Sequence, residues 1–154
     1  MDVQIIRAYP RHLSLAAPLF DQYRQFYAQP PDPDGARQFV SARLERGDSY
    51  IFLAVEGSGS RETSLGFLQL YPIFSSTRMK PAWLLNDLYV APESRRKGVA
   101  KALMERARLL ALESRACELI LSTAVDNLNA QALYESLGYR RETEFYQYVL
   151  EVKR

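Results

Sequence analysis

The densest chemistry in the sequence lies where an apolar run stops and a cluster of cations begins. Ala91-Pro92 ends the extended run Leu84 to Val90, and Glu93-Ser94-Arg95-Arg96-Lys97-Gly98-Val99-Ala100 then leads into a long helical stripe. Three cations therefore gather at a helix N-terminus. First-turn N–H groups without intrahelical partners, the positive end of the helix dipole and a glycine that permits close approach make a cradle for an anion, most naturally a phosphate. The same residues also fit a solvated basic loop before an ordinary helix. Neither the G-x-G-x-x-G nor the Walker A glycine spacing is present. Other chemistries lack their partners. The single cysteine, Cys117, has no histidine near it in sequence, and the one histidine, His12, precedes the first helix, so a packed thiol and a capping or surface imidazole are expected. No cluster has metal-ligand spacing, and no metal is inferred.

A run of alternating elements must position that loop. Val3 to Ala8 reads as a strand, and Leu13 to Ala28 as a helix in which Pro18 implies a kink or a start nearer Ala16. Pro30, Pro31 and Pro33 break it, and Asp34 is the expected cap of a second helix reaching about Arg46. Ser49 to Glu56 and Leu65 to Phe74 form a hairpin around a long turn, with Ala82 to Val90 as the next strand. A helix at about Lys97 to Glu113 follows, with its apolar stripe at Ala100, Leu103, Met104, Ala107, Leu110 and Ala111. Glu118 to Val125, apolar on both faces at Leu119-Ile120-Leu121, reads as a central strand. A helix at about Asn129 to Leu137 and a last strand from Arg141 to Val152 complete the pattern.

Two segments carry a family resemblance. Asn86 to Ala100 resembles the acetyl-CoA motif of the GNAT acetyltransferase superfamily, with Arg95, Gly98 and Ala100 at the three fixed positions of [Q/R]-x-x-G-x-[G/A]. Asp126 to Tyr139 resembles the N-x-x-A-x-x-L-Y-E-x-x-G-[F/Y] signature of the same superfamily along its whole length. The two occur in the family's order and span, with the elements around them, nearly the whole chain. The resemblance implies an α/β (α+β) fold in one domain, 1–154, with a mixed, mostly antiparallel central sheet of about six to seven strands and about four helices on both faces. It also implies an acetyl-CoA-dependent N-acetyltransferase.

Roles follow residue by residue. The backbone of Leu88, Tyr89 and Val90 is expected to hold the pantetheine arm. Arg95, Arg96, Lys97, Gly98, Val99, Ala100 and Lys101 would bind the pyrophosphate, and Asn127 and Ala130 the cofactor arm. A backbone N–H near Val90 or Tyr89, close to a bulge, would face the developing oxyanion. Tyr134 is placed near the CoA sulfur, and a phenol of ordinary pKa about 10 remains able to give a proton to a departing thiolate at neutral pH. It is the expected general acid, although it also shares a core-like helical stripe with Ala130, Leu133 and Leu137. Asn86 and Asp87 point to opposite faces if the strand alternates regularly. Asp87 is then a base, an anchor for a cationic amine or a structural carboxylate. Substrate contacts are expected from Tyr23, Phe26, Tyr27, Trp83 and Asn86, and each of the aromatic residues also fits a core position. The 126–138 run is similar to a subgroup containing yeast histone and polyamine acetyltransferases, which points to a primary amine and leaves the acceptor open as a small molecule or a protein. A homodimer using the aromatic last strand is a further expectation.

Composition sets the outer limits. The 154 residues, 47% of them hydrophobic, suffice for one packed core. A net charge of +2, from 20 Lys and Arg against 18 Asp and Glu, speaks against a nucleic-acid surface. No apolar run approaches the roughly 18 residues of a membrane span, and the opening MDVQIIRAYPRH lacks a leader pattern, so a cytoplasmic enzyme is expected. A non-catalytic CoA-binding regulatory module is the alternative; the presence of Tyr134 weighs against it.

Overall fold

Alternation with period two sends Ile51, Leu53 and Val55 to one side of a strand and Phe52 and Ala54 to the other, and all five are at most 3% exposed. Both faces of such a strand must be covered. The computed structural model describes residues 2–154 and shows how this is done. Strands β1 (Gln4–Arg7), β2 (Tyr50–Glu56), β3 (Thr63–Ser75), β4 (Lys80–Val90) and β5 (Leu119–Ile120) lie side by side in that order. The first four are antiparallel neighbours, and β5 is parallel to β4. Helices α1 (Leu13–Phe26) and α2 (Pro33–Arg46) place Ala16, Leu19 and Val40 against Ile51, Leu53, Val55, Phe67 and Tyr89. Helix α3 (Val99–Glu113) buries Val99, Leu103, Met104, Ala107 and Leu110, and its Arg106 guanidinium lies 4.7 Å from the Phe52 ring centroid, on the opposite face.

The chain divides into two compact units. The first ends at Ser122 and contains all five strands with α1, α2 and α3; the second, Thr123–Arg154, contains α4 (Leu128–Ser136). The mixed, mostly antiparallel sheet with α helices is the expected class. Among the described residues the sheet has five strands, where six to seven were expected. The reading of Glu118 to Val125 as a central strand also needs correction: only Leu119–Ile120 pair, at the end of the sheet, and Ile120 is 40% exposed. Residues 141–152 form no helix or strand, and Phe145, Tyr146, Tyr148, Leu150 and Val152 are exposed. Alternation can mark two faces, but a strand exists only in a ladder, and the ladder partner is not written in the segment's own residues. The dimer interface expected on that strand therefore has no strand to rest on.

Helix boundaries follow local chemistry. Pro18 lies inside α1, which starts at Leu13 directly after a turn of 3-10 helix at Pro10–His12. The cap of α2 is Asp32, where Asp34 was expected: Pro33 is suited to the first helical position, so the cap falls on the residue before it. Asp32 Oδ1 accepts the Gly35 N–H at 3.0 Å, and Asp32→Ala is expected to cost about 1 kcal/mol, measurable as a lower midpoint in urea unfolding. Gly47 closes α2 with φ +63°, a left-handed residue that suits glycine.

Candidate active site

The centre of the site is a disruption in the β3–β4 ladder. Gln69 pairs with Asp87 and Leu70 pairs with Leu85, which leaves Asn86 as the extra residue of a bulge. Regular alternation of Asn86 and Asp87 fails here for that reason. The two side chains meet, with Asn86 Nδ2 donating to Asp87 Oδ1 at 3.0 Å. Beyond this point β4 has, among the described residues, a strand neighbour on one side only, because its pairing with β5 is confined to Trp83–Leu119 and Leu84–Ile120. The backbone of Leu88, Tyr89 and Val90 thus runs along a sheet edge of the kind an extended chain can join. On the paired side Gly66 lies opposite Val90, and a Cβ there would come within 2.7 Å of the Tyr89 carbonyl oxygen, so glycine is what permits this close pairing.

The loop after β4 has the form of an anion cradle. Arg96 (φ +62°) and Gly98 (φ +80°) are both left-handed, and Gly98 is the N-cap of α3 with no side chain capping the helix. The first helical amide with an intrahelical acceptor is Ala102, bonded to the Gly98 carbonyl at 3.0 Å, so the N–H groups of Val99, Ala100 and Lys101 lack that partner. A Cβ on Gly98 would meet no atom within 4 Å. Open space at Gly98, first-turn amides without a side-chain cap, and exposed Arg96, Lys97 and Lys101 nearby in the chain fit a pyrophosphate. Arg95 is used differently from its neighbours. Its Nε donates to the Val90 carbonyl at 2.9 Å, and its guanidinium carbon lies 5.7 Å from the Phe26 and 5.6 Å from the Tyr89 ring centroid. That side chain ties the end of β4 to α1.

Across the α1 side of β4 the expected aromatic residues gather. The Tyr23 ring packs edge-on to Tyr27, Phe67 and Tyr89 at 5.1, 5.6 and 6.1 Å, and its hydroxyl approaches the Asn86 carbonyl at 3.5 Å. Phe26 adjoins Tyr27 and Tyr89, and both Phe26 and Tyr27 keep about half of their surface exposed, at 57% and 49%. Trp83 stands apart from this group. It packs on Tyr50, and its indole N–H donates to Ser114 Oγ at the end of α3 at 2.8 Å. His12 is a capping residue, its Nδ1 accepting the Tyr9 N–H at 2.9 Å; burial and the neighbouring Arg11 lower its pKa.

Three residues near Asp87 were not singled out from the sequence. Gln69 Nε2 donates to Asp87 Oδ2 at 2.7 Å, and Ser49 Oγ donates to Gln69 Oε1 at 2.8 Å. A glutamine at 1% exposure inside an apolar strand is the only trace such a network leaves in sequence. Tyr71 is the third; burial, and next the Asp87 carboxylate, push its phenol above the ordinary value of 10.0. A folded-state value above the unfolded one stabilises the fold fully below the unfolded pKa, and the contribution is lost as pH rises through the folded value. Tyr71→Phe is accordingly expected to flatten the loss of thermal stability above pH 10, checked by melting curves across that range.

The second unit carries the remaining motif. Asn127 caps α4, its Oδ1 accepting the Ala130 N–H at 3.2 Å, and Gly138 follows the helix at φ +93°. Tyr134 is half-buried in α4, with its ring 6.1 Å from that of Tyr139.

Comparison with known proteins agrees with both motifs. A sequence profile described as the acetyltransferase (GNAT) family matches residues 16–139. The uncharacterized N-acetyltransferase YhfO of Bacillus subtilis (strain 168) is 45% identical over 136 residues, 88% of this chain and 89% of that protein. A crystal structure of a probable acetyltransferase superimposes with a TM-score of 0.91 at 45% identity, covering 98% of this chain and 99% of the other. An aminoglycoside N(6')-acetyltransferase type 1 of Acinetobacter genomosp. 13 is 29% identical over 115 residues, 74% of this chain and 78% of that protein. Among the described residues no helix is long and apolar enough to cross a membrane.

Proposed function

Because the chain belongs to the acetyltransferase (GNAT) family, we propose that it transfers an acetyl group from acetyl-CoA to a primary amine as a single domain over residues 1–154, in the cytoplasm. The observation that carries this reading is the open β4 edge leading straight into the uncapped, glycine-started N-terminus of α3. Acetyl-CoA supplies the activated acetyl thioester. Leu88, Tyr89 and Val90 hold the pantetheine through backbone hydrogen bonds, and the amides of Arg96 to Lys101, with Arg96, Lys97 and Lys101, neutralise the pyrophosphate. Arg95 keeps Val90 in place, and the Val90 backbone N–H, on the side of β4 away from β3, faces the oxygen on which charge develops, whereas the Tyr89 N–H is in step with the Ala91 N–H bonded to Leu65 and is turned into the ladder.

On the other side of β4, Asp87 receives the proton that an ammonium acceptor must lose before its nitrogen can attack, while Tyr23, Phe26 and Tyr27 form the wall against which the acceptor lies. Asn86 contributes its backbone and amide at the bulge. Attack forms the N–C bond, the nitrogen releases its second proton to solvent, and collapse breaks the C–S bond as Tyr134 gives its phenolic proton to the leaving sulfur and is reprotonated from solvent. Asn127 and Ala130 sit at the start of α4, where the family's cofactor-arm contacts fall. The relative named as an aminoglycoside acetyltransferase makes an aminoglycoside one acceptor to test.

Calorimetric titration with acetyl-CoA, followed on the same sample by thiol-release assays with tyramine, spermidine, kanamycin and a lysine peptide, tests the proposal. Binding with release from at least one amine is expected. Binding without release from any amine identifies a CoA-binding module, and no binding by folded protein overturns the reading altogether.

A further inference from the structure

Asp87 is held on both oxygens. Oδ2 accepts from Gln69 Nε2 at 2.7 Å and Oδ1 from Asn86 Nδ2 at 3.0 Å. Gln69 is held in turn by Ser49, whose hydroxyl donates to Oε1 at 2.8 Å. Ser49, Gln69 and Asp87 are all buried, at 6%, 1% and 5% exposure. An ionised carboxylate only accepts, so the amide nitrogen of Gln69 must face Asp87, and its oxygen is left for a donor. Ser49 is that donor. The three groups satisfy one another in a single orientation of the carboxamide.

The need for such a hold comes from the bulge. A residue inside a regular ladder has its side-chain direction set by backbone pairing, whereas Asp87 follows the unpaired Asn86, where the ladder is disrupted. Gln69, the ladder partner directly opposite Asp87 on β3, adds a side-chain hold to the first residue that re-enters the ladder after the bulge. We propose that Gln69, locked by Ser49, is the positioning residue that holds Asp87 in the orientation in which it takes the acceptor's proton. This rests on Asp87 having the role proposed above. At 1% exposure Gln69 acts through Asp87 and does not itself meet the acceptor.

The test is a double-mutant cycle with a conservative rescue. Wild type, Asp87→Asn, Gln69→Leu, the double variant, Ser49→Ala and Ser49→Thr are compared in acetyl transfer to whichever of tyramine, spermidine and kanamycin gives the highest wild-type kcat/KM. Acceptor-free hydrolysis of acetyl-CoA, in which water needs the same base, is followed on every variant. Gln69→Leu is expected to lower acceptor kcat/KM by about tenfold or more, the effect of losing one charge-assisted hydrogen bond, with the KM for acetyl-CoA unchanged. In the Asp87→Asn background the same change should have no further effect. Ser49→Ala should fall in the same direction, and Ser49→Thr, which keeps the hydroxyl, should recover. Additive losses, wild-type kinetics in Gln69→Leu, or equal losses in the two Ser49 variants would overturn the positioning role. Wild-type kinetics in Asp87→Asn would remove Asp87 from the reaction and the inference with it. If Gln69→Leu does not fold, the Ser49 pair decides the question alone.

Discussion

Tyr134→Phe is expected to lower kcat by about 100- to 10,000-fold, the usual range for a lost general acid, while the Kd for acetyl-CoA stays within about twofold of wild type. The substitution removes one oxygen and keeps the ring that packs 6.1 Å from Tyr139, so α4 retains its shape. On the proposed mechanism the substitution takes away the proton for the leaving sulfur. Thiol release under saturating acetyl-CoA gives kcat, and calorimetry on the same preparation gives Kd. An unchanged kcat would take Tyr134 out of the proton transfer. A parallel fall in affinity would make its role that of a contact to the cofactor arm.

Gly98→Ala should weaken acetyl-CoA binding by about tenfold to a hundredfold, the effect of one or two lost hydrogen bonds to a charged group, and leave the protein folded. At φ +80° an alanine is strained by roughly 1–2 kcal/mol, but its methyl meets no protein atom within 4 Å, so nothing in the fold has to move. The methyl enters open space at the N-cap of α3, in the loop where the pyrophosphate is proposed to sit. Titration with acetyl-CoA measures the loss, and a melting curve separates it from the strain. Wild-type affinity with the strain present would place the anion elsewhere.

These two residues were legible for different reasons than Asp87. Gly98 and Tyr134 stand in motifs whose spacing is local: cations before a glycine before an apolar stripe, and cap residues before a short amphipathic helix ended by glycine. Asp87 was legible as a carboxylate on a strand, and its three alternative roles could not be separated. Its partner Gln69, and Ser49 which holds Gln69, lie 18 and 38 residues away along the chain, on or beside other strands. Arg95 looked like one more cation of the cradle, and only the neighbouring strand end and the α1 rings show where its charge goes. Trp83 looked like an acceptor contact for its place beside the cofactor strand, and its packing on Tyr50 and its hydrogen bond to Ser114 depend on residues more than 30 positions away.

Residue type and short-range spacing were enough for the order of elements from β1 to α4, the stops at Pro92 and Gly138, the cationic loop and the capped helix α4, because turns, caps and helix starts are decided within a few residues. Tertiary structure decided the bulge at Asn86, the hold on Asp87 and the face on which Trp83 lies. It also ended the sheet at a two-residue β5 and left residues 141–152 without a ladder. The physical reason is common to all of these. Strand pairing and buried hydrogen bonds join residues far apart in sequence, and a strand's own alternation specifies what it can offer to a partner but not which partner it will meet.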